Sequence, residues 1–222
     1  MKIIDLSILL RKGSLSLVPG HPDFELEDFH FHDRDFRSNS FLKMSTHTGT
    51  HVDAPYHFIR DGLTIDELPL EKIVGTAILI DLRSVSAPNK GISLNQLKHA
   101  VGERGLREKI IILHSGWIKE KWATSEMYEN NPFLMQESAD WLVEKGIKSV
   151  GLDFSLDNPD QSNLHDREKF PIHRTFLGKG IPHIENLCNL ELIDQEEFLL
   201  VALPLKLYKC NAAPGRAVAL LD

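Results

Sequence analysis

The sequence predicts a single α/β domain around a mixed sheet, and three observations carry that reading. Strand patterns apolar on both faces, such as residues 110–113, recur along the chain. Helix patterns with their own start and stop residues lie between them. The 222 residues form one large core without strain on length, and no linker, internal repeat or low-complexity tract divides residues 1–222.

Taken in order, residues 3–10 are rich in branched apolar side chains and read as an opening strand. Val18-Pro19-Gly20-His21-Pro22 is turn chemistry that no element continues through. Residues 24–31 alternate apolar and acidic side chains, with one slip between Leu26 and Phe29, as in a hairpin or bulged strand. His30 and His32 read as exposed on it. Residues 40–46 read as the strand that delivers a histidine-rich stretch. Thr64 with Glu67 gives a capping-box start to a short helical segment that Pro69 limits. Residues 76–82 form a buried-type strand, and residues 93–102 a helix with a serine cap and a glycine stop. The strand at 109–114 leads into His114-Ser115-Gly116-Trp117, which either presents polar groups to a site or is a plain strand-to-helix turn. Asn131 is predicted to cap a helix with Pro132 in its first turn and Gly146 at its end, turning Leu134, Ala139, Leu142 and Val143 inward. Residues 147–154 and 198–207 are the remaining strands.

Composition narrows the function. Hydrophobic content of 42% and charged content of 26% are those of a folded globular chain. A net charge of −7 without a dense basic cluster argues against a nucleic-acid partner. The longest uninterrupted apolar run, residues 198–203, is too short to span a bilayer, so no membrane partner is expected. The first residues lack a basic segment followed by an apolar one, which predicts no signal peptide and a cytoplasmic location. Cys188 and Cys210 have no partner motif and read as thiols of a reducing compartment.

The densest chemistry lies in His47-Thr48-Gly49-Thr50-His51-Val52-Asp53-Ala54-Pro55-Tyr56-His57. All four proton-transfer or metal-type side chains occupy odd positions, so an extended chain would turn them to one face. At roughly 3.3 Å per residue, however, a straight strand leaves His47 roughly 13 Å from His51. Zinc ligands sit only about 2.0–2.2 Å from the ion. A helix would join the two histidines but turn Asp53 away, and Pro55 would end it. What remains is a strand end bent at Gly49, where glycine has backbone freedom other residues lack. The stretch therefore reads as a metal site.

The same string resembles the signature H-x-G-T-H-x-D-x-P-x-H of the cyclase family, which includes bacterial kynurenine formamidases and isatin hydrolases. The resemblance covers nearly the whole chain and implies a swivelling β/β/α fold around the mixed sheet. It implies that Val18 borders the substrate pocket, where kynurenine formamidases carry an aromatic residue. Gly151-Leu152-Asp153-Phe154-Ser155-Leu156-Asp157 is similar to the family's G-x-D-x-x-S-x-D segment but one residue shorter, which in an extended chain reverses the side chains beyond it. The far metal ligands carry over to His173 and Glu185. His165 competes with His173, and only the surrounding residues favour the latter. His183, on the same strand face as Glu185, reads first as an exposed edge residue and second as a further polar group at the site. Arg216, in the closing Ala213-Pro214-Gly215-Arg216-Ala217 segment, reads as a structural brace.

Imidazole and carboxylate without clustered thiolate suit Zn2+ or Mn2+, one or two ions per subunit, and such mixed sets leave positions for water. His47, His51 and Asp53 are expected to hold one ion, and Asp53, His173 and Glu185 a second. His57 is the expected general acid and base. The resemblance implies a metal-dependent hydrolase of a small-molecule amide, kynurenine formamidase-like, in a homodimer or larger homo-oligomer. Hydrolysis of a cyclic amide or lactone such as isatin is the alternative within enzymes. A non-catalytic metal-binding protein is the alternative outside them.

Overall fold

The computed structural model describes residues 1–11, 18, 20–160, 165 and 168–221; Pro19 of the predicted turn lies outside them. In chain order the elements are β1 (Lys2–Asp5), β2 (Glu25–His30), α1 (His32–Asp35), β3 (Asn39–Lys43), β4 (His51–Asp53), β5 (Val74–Asp81), β6 (Gly91–Ile92), α2 (Leu94–Val101), β7 (Ile110–His114), α3 (Trp117–Lys121), α4 (Glu126–Glu129), β8 (Phe133–Leu134), α5 (Gln136–Glu144), β9 (Ser149–Leu152), α6 (Pro171–Leu177), β10 (His183–Glu185), β11 (Glu197–Pro204) and β12 (Ala212–Leu221).

Eight strands form one mixed sheet in the order β1-β12-β11-β5-β7-β9-β10-β4. Strands β5, β7, β9 and β10 run parallel, and their neighbours are antiparallel. Strand β12 also pairs with β4, so the sheet closes into a barrel. The length of β12 makes this closure possible. Its first residues, Ala212 to Pro214, pair with β4 and its last, Val218 to Leu221, with β1. Across the middle, Gly215 faces β11 so closely that a Cβ would collide with the Leu203 carbonyl. Arg216 braces the same strand through an ion pair to Asp5 of β1, 2.6 Å between Nη2 and Oδ2.

The doubly apolar strands have a direct reason. Successive side chains of β7 alternate between two cores, Ile111 and Leu113 toward the helices and Ile110 and Ile112 toward the barrel interior. The helix-side core takes Leu97 and Val101 of α2, Leu142 of α5 and Phe176 of α6. The predicted cap of α2 forms in full: Ser93 and Gln96 exchange side-chain to backbone hydrogen bonds, and Gly102 succeeds the last turn.

Three expectations change. Asn131 does not cap α5, which begins at Gln136; its amide is directed instead at the carbonyls of Pro132, Ser155 and Asp157, and the chain after it runs extended as β8. Local hydrogen bonding of an asparagine side chain competes with capping, and here it prevails. Thr64 donates its backbone N–H and its hydroxyl to the Glu67 carboxylate, but Pro69 leaves only a turn and the short 3-10 segment Leu70–Lys72. The strand expected at 40–46 ends at Lys43, and turns carry the chain to His51. The hairpin β2–β3 has its irregularity between Asp28 and His30, at the far end of the slip expected between Leu26 and Phe29. Among the described residues no helix is long and apolar enough to cross a membrane, and both cysteines are free thiols.

Candidate metal centre

The register of β4 against β10 builds the floor of the site. Asp53 lies opposite His183 and His51 opposite Glu185. Because side chains two apart share a face, these four project to one side. His47 joins them because the chain turns back at Gly49, whose φ of +65° is open to glycine at little cost. The turn is pinned from both ends. Asn186 donates to the Gly49 carbonyl at 3.0 Å, and Thr50 donates to the Asn186 carbonyl at 2.7 Å. The result brings His47 Nδ1 within 3.2 Å of His51 Nε2 and 2.9 Å of Asp53 Oδ1. The 3-10 segment Pro55–His57 places His57 Nε2 3.9 Å from Asp53 Oδ2. From across the sheet, α6 contributes His173, its Nε2 3.0 Å from Glu185 Oε1.

Hydrogen bonds on the outer ring nitrogens aim the inner ones. His51 Nδ1 donates to the Gly49 carbonyl at 2.8 Å, and His173 Nδ1 donates to the buried Asp157 carboxylate. Each ring therefore turns Nε2 toward the centre, the orientation metal-ligating histidines adopt. Asp157 also accepts the backbone N–H groups of Ile172, at 2.8 Å, and His173, at 3.3 Å. Asn211 lies behind two rings at once, its Nδ2 3.1 Å from His47 Nε2 and 3.4 Å from His57 Nδ1.

The electrostatics are those of a cluster arranged for positive charge. Burial opposes charge on His51, but Asp53 and Glu185 outweigh it and raise the ring to about 9. His173 is likewise opposed by burial, yet its bonds to Asp157 and Glu185 hold it well above the ordinary imidazole value. Burial works against the Asp53 carboxylate too, and the facing His47 and His51 rings keep it ionised far down the pH scale. Protons on these rings occupy the place a cation would take. His57 differs. Burial, with His47 and His173 adding to it, lowers that ring to about 4 despite Asp53.

The residues fit a metal. Both ring nitrogens of His183 are buried without any hydrogen-bond partner, which a protein rarely tolerates, and Asp53 Oδ1 is buried between the His47 and His51 rings. Donor atoms of His47, His51 and Asp53 lie within 4.8 Å of one another, as do those of Asp53, His173, His183 and Glu185. Asp53 belongs to both groups. Nitrogen and carboxylate oxygen donors without thiolate are suited to zinc and to manganese.

Above this floor lies a cavity of about 580 Å³. Val18 lines it, as do Phe58 and Phe170, whose ring centroids are 5.4 Å apart. An aromatic wall is thus present although the position before the Pro-Gly turn is valine. His47, His51, Asp53, His57, His173 and Glu185 all face the cavity, so every metal and acid-base candidate from the sequence converges there.

Several details correct the sequence reading. His183 is fully buried, because β10 is paired on both sides, with β9 and with β4, and offers no edge. His165 is exposed, whereas His173 is buried with its Nε2 3.0 Å from Glu185 Oε1. The shortened 151–157 segment does not misdirect Asp157: β9 ends at Leu152 and the chain bends, so strand alternation no longer governs the side chains beyond that residue. Asp153 lies elsewhere, accepting from Ser115 and Gly116, and burial raises it to about 6 despite those bonds. His114-Ser115-Gly116-Trp117 is accordingly a strand-to-helix turn. Asn211 carried no signal in the sequence. His183 carried one, the two-residue spacing to Glu185 that matches His51 and Asp53.

Comparison with known proteins agrees with this geometry. The family model Cyclase matches residues 4–158. A kynurenine formamidase of Salinibacter ruber is 33% identical over 180 residues, covering 80% of this chain and 77% of that protein. A solved isatin hydrolase bound to the product analogue thioisatinate superposes with a TM-score of 0.87 at 20% identity, covering 100% of this chain and 92% of the other, a likeness of fold. A solved potential metal-dependent hydrolase with cyclase activity is 27% identical with a TM-score of 0.74, covering 98% and 96%. Fold and donor set together define a metal-dependent hydrolase. The chain belongs to the Cyclase family.

Proposed function

We propose that the chain hydrolyses the amide bond of a small aryl formamide, N-formylkynurenine being the first candidate, with Zn2+ or Mn2+ held by His47, His51, Asp53, His173 and Glu185. The observation that carries this reading is the shared, buried Asp53, which joins two donor groups on the floor of an aromatic-walled cavity. A bound divalent cation supplies Lewis acidity, polarising a carbonyl and lowering the pKa of water from about 15.7 to near 7.

The protein's own groups do the rest. Phe58, Phe170 and Val18 offer an apolar slot for an aryl ring and orient the formyl group toward Asp53. His57 Nε2 takes the proton of the attacking water, whose oxygen bonds to the formyl carbon. The same ring, uncharged at neutral pH before it takes that proton, gives it to the nitrogen as the carbon–nitrogen bond breaks, leaving an aryl amine and formate. Asn211, within reach of His57 Nδ1, holds the ring so that Nε2 keeps facing the floor. Relatives named kynurenine formamidase support the substrate class.

Metal-loaded protein is expected to release formate from N-formylkynurenine, monitored by absorbance of the arylamine product. Turnover of isatin with N-formylkynurenine untouched would replace this substrate with a cyclic amide. Binding of metal without turnover of either would favour a protein that only holds the ion.

A further inference from the structure

His183 has no task in that mechanism, and its surroundings give it one. It lies on β10, paired with Asp53 across β4 and with Val150 across β9, so strand alternation turns it to the face that carries Asp53 and Glu185. Its exposure is 0%, and neither ring nitrogen has a hydrogen-bond partner. A neutral imidazole has one N–H to donate and one lone pair to fill, and leaving both unmet forfeits the hydration of each. The nearest carboxylate oxygen, Glu185 Oε1, is 3.9 Å from Nδ1, too far for a hydrogen bond. The ring is otherwise packed edge-on, its centroid 4.9 Å from His173 and 5.7 Å from Phe176. An ordinary core position would take an apolar side chain here. A histidine whose donor atom lies within 4.8 Å of those of Asp53, His173 and Glu185 has a different use.

We propose that His183 is a fourth protein ligand of an inner cation, so that Asp53, His173, His183 and Glu185 close around one ion while His47, His51 and Asp53 hold a second with a position open to the cavity. This rests on the divalent-cation reading of the site. The walls of the cavity set His183 apart. His47, His51, Asp53, His173 and Glu185 all line it and His183 does not, so His183 meets the inner position from the protein side. Sites closed by four protein ligands retain their ion and brace the fold, and sites with three leave room for water. The two ions therefore differ in kind: the inner one is resident and orients Asp53, and the outer one exchanges and meets the substrate.

The test uses the full chain, stripped of metal and reloaded with Co2+, whose visible absorption reports ligand number and type. Wild type is expected to bind two equivalents, one released slowly and one quickly on addition of a chelator. His183→Phe fills the space against Phe176, and His183→Gln keeps a polar group. Both are expected to speed release of the slow equivalent at least tenfold and to change its absorption, while the fast equivalent is unaffected. Slow release unchanged in either folded variant overturns the proposal. X-ray absorption of His47→Ala, loaded with one equivalent, serves if those variants do not fold: two imidazoles on the remaining ion support His183 as a ligand, and one refutes it. Failure to bind Co2+ at all would overturn the divalent-cation reading as well, so the two failures are distinguishable.

Discussion

Replacement of Asp157 by asparagine tests whether the inner half of the site depends on a carboxylate that acts through the His173 ring. In the native chain the carboxylate accepts three hydrogens, from His173 Nδ1 and from the backbone N–H groups of Ile172 and His173. Asparagine is nearly the same shape but offers one acceptor oxygen and an NH2. At least one of those three donors then meets another donor, and the ring loses the anion that fixes Nε2 toward Glu185. Outer partners of metal-bound histidines are worth about 10–100-fold in metal affinity, or about 1.4–2.7 kcal/mol. Loss of a buried hydrogen bond to a charged acceptor lowers stability by about 1.5–3 kcal/mol in addition. Chelator competition on stripped and reloaded protein, with circular dichroism to establish folding, is expected to show one of two metal equivalents weakened by about 10–100-fold. The equivalent held by His47, His51 and Asp53 should be unmoved, since Asp157 touches none of those residues. A D157N protein that folds and binds both equivalents within about twofold of wild type, well below that range, would refute the role given to this carboxylate.

The same geometry sets three other outcomes. His57→Ala should keep its metal content and lose about 10²–10⁴-fold in kcat, the usual contribution of a general acid–base group; full activity with metal retained would remove His57 from the mechanism. Metal affinity should rise with pH. His51 carries a proton below about 9 and His173 is raised as well, so a cation must displace those protons at neutral pH. Roughly tenfold tighter binding per pH unit is expected for each proton displaced, read by chelator competition between about pH 6 and 8, and a flat profile there would contradict the ligand assignment. Gly151→Ala should destabilise the fold by about 1–3 kcal/mol through overpacking, because its Cβ would lie 2.5 Å from Ile112 Cδ1 and 2.9 Å from Leu187 Cδ1; an unchanged thermal midpoint would show that this close approach of β9 to its neighbours is not tight.

Some of the site could be read before any coordinates. His47, His51, Asp53 and His57 lie close in sequence, so their grouping depends on local backbone geometry, and the bend at Gly49 followed from strand distances, the helix-breaking Pro55 and the freedom of glycine. The alternation between two cores along β7 came from its unbroken apolar run. Asp157 and Asn211 were harder. Each acts through partners far along the chain, 16 residues in the bond from Asp157 to the His173 ring and 164 in that from Asn211 to His47. Nothing in a one-dimensional pattern marks such bonds. Strand β12 was hidden because Pro214 and Gly215 look like interruptions, and only the crowded carbonyl of Leu203 shows why glycine is needed there.

By itself, then, the sequence determined the mixed α/β layout, the doubly buried strands, the capped helix at Ser93 and one half of the cation-binding group, all of which depend on neighbours a few residues apart. Tertiary structure decided the other half. Pairing of β10 with β9 on one side and β4 on the other put His183 in the interior, and the register of β10 against β4 set Glu185 beside His51. Long-range strand pairing depends on which hydrophobic faces bury one another across the whole chain, and no short window of residues contains that information.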